Sequence, residues 1–88
     1  MKKLTEKKLM SLGFKKITIK PIESGQKNTY HYFIYRLNKT DIFLSNTNDE
    51  RIDGSYFVEF YEQPEIGKFY KAKQIRKLIK IIKSAKKE

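Results

Sequence analysis

The chain has 88 residues, enough for one domain with a modest core, and at 39% apolar and 14% aromatic it is too hydrophobic to stay disordered. Its 20 Lys and Arg against 10 Asp and Glu leave a net charge of +10, which points to nucleic acid, a membrane surface or an acidic protein face. The absence of Cys excludes a disulfide framework and a thiolate metal site, and no apolar run approaches the roughly 20 residues of a membrane span.

In chain order, the first element is a short helix, about Thr5 to Leu12. Thr5 is a good N-cap, and Leu4 and Leu9 stand at the N′ and N4 positions of a hydrophobic staple. Leu9 and Leu12 supply an apolar face, Gly13 stops the helix, and Phe14 can fold back onto Leu9. So short a helix needs something to dock on. The alternation of Ile17, Ile19 and Ile22 with Lys16, Thr18 and Lys20 predicts a half-buried strand, ended or edged by Pro21. Glu23 to Asn28, with Ser24-Gly25, reads as a turn. Thr29 to Leu37, mostly aromatic or β-branched, is the strongest strand signal. A short hairpin at Asn38-Lys39-Thr40 leads into a third strand, Asp41 to Ser45. Asn46 to Gly54 is a polar loop, and Ser55 to Glu62 a fourth strand in which Phe57 faces opposite to Tyr56, Val58 and Phe60.

Pro64 and Gly67 mark the last connection before a basic helix that begins about Ala72. In it Ile75, Leu78, Ile79 and Ile82 form one stripe at i, i+3, i+4 and i+7. At about 100° per residue, Lys73, Arg76, Lys80, Lys83 and Lys87 occupy a continuous arc on the other side, which Lys77 extends. The expectation is therefore an α+β domain over residues 1–88, ordered α-β-β-β-β-α. Its simplest packing is an antiparallel meander sheet with both helices on one face. The opposite face would then expose several of Tyr30, Tyr32, Phe33, Tyr35, Phe57 and Tyr61, depending on register.

The usual catalytic constellations do not occur. His31 is the only histidine, sits inside a predicted strand, and reads as a sheet side chain rather than a general base. The polar loop fails the EF-hand pattern, since Arg51 occupies the required glycine and no Glu closes it. Gly67-Lys68 lacks the remainder of a phosphate-binding loop. The expectation is a protein that is not an enzyme and needs no cofactor or metal.

Charge is more informative. From Lys68 to Lys87 there are nine Lys or Arg and no Asp or Glu, so the helix forgoes i,i+4 Glu–Lys pairs and places positive charge against its own dipole. Charge runs are often only a solvated face. As a binding face, the ammonium groups would track phosphates without reading sequence. A membrane-surface helix fits less well, because the apolar stripe lacks Trp and is the natural core of a small domain. The candidate nucleic-acid contacts are Lys68, Lys71, Lys73, Arg76, Lys77, Lys80, Lys83 and Lys87, joined by Lys7, Lys8, Lys15 and Lys16 near the start. Tyr30, Tyr32 and Tyr70 are added as rings able to stack on bases, although nothing matches the RNP1 pattern.

The run Phe69-Tyr70-Lys71-Ala72-Lys73-Gln74-Ile75-Arg76-Lys77-Leu78 resembles the start of the second helix of double-stranded-RNA-binding domains, with Tyr70 where that K-K-x-A-K motif has a lysine. The resemblance implies phosphate contacts for Lys71 and Lys73. Residues Leu4 to Lys16, followed by Tyr30 to Leu37, are similar to small phage and prophage proteins that share an L-T-x-x-x-L-x-x-L-G-F entry and an aromatic strand. That similarity implies a mobile-element accessory protein, a group that includes anti-CRISPR inhibitors of RNA-guided nucleases. Many of those are acidic mimics of DNA. A chain of opposite charge implies instead engagement of the guide RNA or the RNA-bound effector, in the cytoplasm of a host cell. The alternative is a phage protein-interaction module that meets an acidic surface or carries its charge for solubility.

Overall fold

The computed structural model describes residues 3–20, 29–50 and 54–85. Ile22, Pro21, the Ser24-Gly25 turn, Arg51 and Lys87 lie outside the described residues. The elements are α1 (Glu6–Ser11), β1 (Lys15–Ile19), β2 (Tyr30–Leu37), β3 (Thr40–Ser45), β4 (Val58–Phe60) and α2 (Ala72–Ser84), with 3-10 turns at Asn48–Glu50 and Pro64–Ile66. The four strands form an antiparallel meander in the order β1-β2-β3-β4, and both helices pack on one of its faces, as the patterning predicts.

Local chemistry accounts for α1. Thr5 Oγ1 accepts from the Lys8 backbone N–H at 3.3 Å, and Leu4 and Leu9 are both buried as the two arms of the staple. The helix ends in a Schellman pair: Phe14 N–H donates to Leu9 C=O at 3.0 Å and Gly13 N–H to Met10 C=O at 3.1 Å. Gly13 takes a φ of +100°, and a Cβ there would also stand 3.3 Å from the Tyr35 ring. The segment before α1 is tied to the stretch leading into β4, because Tyr56 N–H donates to Leu4 C=O at 2.9 Å.

The β2–β3 hairpin turns on Asn38 and Lys39, both at positive φ (51° and 67°), the two-residue geometry whose twist matches antiparallel strands. Between Tyr35 and Arg36 the register shifts, leaving Ile42 as an extra residue between Asp41, opposite Arg36, and Phe43, opposite Tyr35. β4 is shorter than the predicted Ser55–Glu62. Its pairing with β3 covers only Val58 to Phe60. Glu62, at a φ of +60°, begins the turn into Pro64–Ile66.

Register decides which side chains meet the helices. Phe33 and Tyr35 of β2, Phe43 of β3 and Val58 of β4 form the core with Leu9, Phe14, Tyr56, Ile75 and Ile79. Leu78 and Ile82 flank them, so the aliphatic stripe of α2 is a core stripe. The isoleucines of β1 go the other way. Ile17 pairs with Tyr32 and Ile19 with Tyr30, whereas Lys16 pairs with the core residue Phe33. Ile17 and Ile19 therefore floor the outer face of the sheet, away from the helix that precedes them.

Candidate nucleic-acid interface

Two hydrogen bonds between Val58 and Phe69 (2.9 and 2.8 Å) clamp the segment before α2 to β4. Phe69 turns inward and meets Phe60 edge-on at 5.8 Å. By strand alternation its neighbours Lys68 and Tyr70 turn outward, where Tyr70 lies 5.8 Å from the Phe57 ring and Lys68 Nζ 4.6 Å above it. Lys71 then occupies the N-cap in extended conformation without a capping side chain, and α2 follows with no acid in its first turn.

With Ile75 and Ile79 buried, α2 presents Lys73, Arg76, Lys77, Lys80 and Lys83 to solvent, all exposed. Among the described residues none of these five makes an ion pair; the salt bridges there are Lys16–Glu6, His31–Glu6 and Arg36–Asp41. Tyr70 adds an exposed ring at the N-terminal end of the arc, and Lys68 and Lys71 are exposed beside it. This is the largest assembly of predicted contacts that the fold brings together.

The remaining candidates are scattered. Lys7 is exposed and Lys8 half-buried on α1. Lys15 and Lys16 point to opposite faces of β1, and Lys16 Nζ lies 3.5 Å from the Glu6 carboxylate. Tyr30 and Tyr32 are half-buried on the outer face, across the sheet from α2. There Tyr32, Ile17, Ile34, Leu44 and Tyr61 line an open concavity of about 500 Å³ whose rim includes Asp41 and Glu50. Among the described residues its one cation, Arg36, donates to Asp41 Oδ1 at 2.6 Å, a bond that holds the guanidinium above its ordinary pKa. Tyr30 and Tyr32 thus stand apart from the lysines of α2, on the other side of the sheet.

The structure also assembles a polar cluster that sequence reasoning missed. His31 Nε2 lies 2.8 Å from Glu6 Oε2 and 3.1 Å from the Tyr56 hydroxyl, and that hydroxyl donates to Glu6 Oε2 at 2.9 Å. Partial burial pushes the Glu6 carboxyl up. Hydrogen bonds from His31 and Tyr56, with the charges of His31 and Lys16, outweigh it and leave the group below its ordinary 4.5. The only available signal was parity: His31 shares the core-facing phase of Phe33 and Tyr35. Both partners crowd one ring nitrogen, an arrangement that ties α1 to the sheet.

Among the described residues no group of acidic or histidine side chains is placed to hold a metal ion, and no helix is long and apolar enough to cross a membrane. No protein-family model matches the chain, and no curated protein or solved structure matches it.

Proposed function

We propose that this protein binds RNA, free or within a ribonucleoprotein, without catalysing a reaction, through the cationic face of α2. The observation that carries the reading is the row Lys73, Arg76, Lys77, Lys80 and Lys83, exposed and without an ion pair among the described residues, on a helix with no acid in its first turn. Ammonium groups left unneutralised on a rigid helix are placed to displace counterions from a phosphate backbone. Fluorescence anisotropy with labelled hairpin RNA, single-stranded RNA and duplex DNA at low and high salt tests it. The expected result is salt-dependent binding that prefers an RNA, abolished when Lys73, Arg76, Lys80 and Lys83 are replaced by Glu. Equal weak binding to all three would end the proposal.

We propose further, from the phage-like pattern of residues 4–16 and 30–37, that the ribonucleoprotein is an RNA-guided nuclease, with the protein acting as an anti-CRISPR inhibitor on the guide RNA or the loaded effector. Excess protein that leaves such nucleases fully active at several guide sequences would exclude this version.

A second reading rests on the outer face. The concavity floored by Ile17, Ile34 and Leu44 is an open apolar hollow that side chains of a protein partner can enter, and in that case the lysines serve solubility. The fourfold Glu variant separates the two readings, because it would leave capture of a protein partner unchanged.

A further inference from the structure

We infer that Tyr70, supported by Phe57, is a stacking subsite for an unpaired nucleobase at the N-terminal end of the α2 cationic face. The inference rests on the RNA-binding reading of α2 and names the kind of RNA it takes.

Three observations carry it. The first is an aromatic ring held in the open: Tyr70 is 41% exposed, although the chain around it is pinned by the Val58–Phe69 bridge on one side and the start of α2 on the other. A ring fixed in this way has already lost most of its freedom, so stacking a base on it costs little further order. The second is the arrangement of the pair. Phe57 and Tyr70 meet at 52° with Lys68 Nζ over the Phe57 ring, so Phe57 backs the pair and Tyr70 is its more exposed ring. The third is charge. Lys68 stands over the pair, and Lys71 and Lys73 follow Tyr70 into α2, all exposed. Phe57 borders a hollow of about 210 Å³ whose lining includes Glu50 and Glu59.

This polarity orients a nucleotide. The carboxylates of the hollow repel phosphate and accept hydrogen bonds from base N–H groups, while the lysines take the backbone. A base on Tyr70 thus has its edge towards the hollow and its phosphates towards α2. A base in a duplex is already stacked and paired on both sides, so the subsite takes a strand with an unpaired residue. The preferred ligand is then single-stranded RNA, or a looped or frayed end, with its backbone running along Lys73, Arg76 and Lys80.

The test compares the full chain with Tyr70→Ala and Tyr70→Phe on two probes, a 12-nucleotide single-stranded RNA and the 12-base-pair RNA duplex of the same sequence. Melting temperatures of all three proteins are expected to agree, since Tyr70 lies outside the core. Tyr70→Ala is expected to weaken single-strand binding between about 5- and 100-fold and leave duplex binding unchanged. Tyr70→Phe, which keeps the ring, is expected to bind like the parent. Equal losses on both probes, or no loss on the single strand, would overturn the subsite while leaving the cationic face in place. A parent protein that binds neither probe would overturn the RNA reading itself.

Discussion

The two helices are stabilised in opposite ways. α1 is six residues long and has every local device: a capping threonine, a staple, an acid in its first turn and a Schellman ending. It is also tied to the sheet through Glu6, His31 and Tyr56. α2 has thirteen residues, no capping side chain, no acid in the first turn and no ion pair among the described residues. It is held by the stripe from Ile75 to Ile82. The contrast teaches where charge is free to act. Where stability comes from caps and pairs, basic residues such as Lys16 are engaged. Where it comes from burial alone, the whole solvent face stays available to a partner.

Substitutions can break or sharpen that contrast. The largest effect belongs to Ile75→Ala, because Ile75 is the fully buried centre of the α2 stripe and α2 has no side-chain cap to share the load. We expect a loss of about 2–5 kcal/mol in urea unfolding, with RNA affinity lost as α2 detaches. Next comes Thr5→Ala, expected to cost about 1 kcal/mol by removing the bond to the Lys8 N–H, with RNA binding by folded protein unchanged. Lys71→Asp is the mirror experiment. Lys71 already has the extended backbone of an N-cap, so an acceptor there is expected to stabilise by about 0.5–1 kcal/mol while weakening RNA binding. Opposite signs for stability and affinity would mark α2 as a helix that gives up stability for binding, and equal signs would refute that view.

The smallest effect concerns pH. The folded Glu6 carboxyl lies below 4.5, so its contribution is fully present above the unfolded value and is lost as pH falls through the folded one. Glu6→Gln should therefore melt below the parent at neutral pH, with the gap closing as pH drops below about 4.5. Glu6 is partly solvated, which keeps the gap small. A gap that persists unchanged into acid would show that Glu6 acts through packing alone.

Both helices were legible because their signals are local. Thr5, Leu4, Leu9, Gly13 and Phe14 interact within one or two turns, and the stripe of α2 needs only a period of 3.6. The strands were legible as strands, but their facing was not. Alternation at Lys16 to Ile19 shows that two faces differ and does not say which of them the helices cover. The lysines of the candidate interface could be read from sign and spacing. The Phe57–Tyr70 pair could not, because a turn and a 3-10 segment separate its members.

The sequence alone determined the order of elements, the bounds of α1 and the start of α2 to within a residue or two, and the one-signed face of α2, since each follows from residues less than two turns or one hairpin apart. Tertiary structure decided the rest. Cross-strand register sent Ile17 and Ile19 outward and Phe33 and Tyr35 inward. Long-range packing gathered Glu6, His31 and Tyr56. The Val58–Phe69 bridge set Tyr70 beside Phe57 at the start of α2. Those choices depend on closing the whole sheet over one core, because a strand's pattern is satisfied on either face until the helices cover one of them.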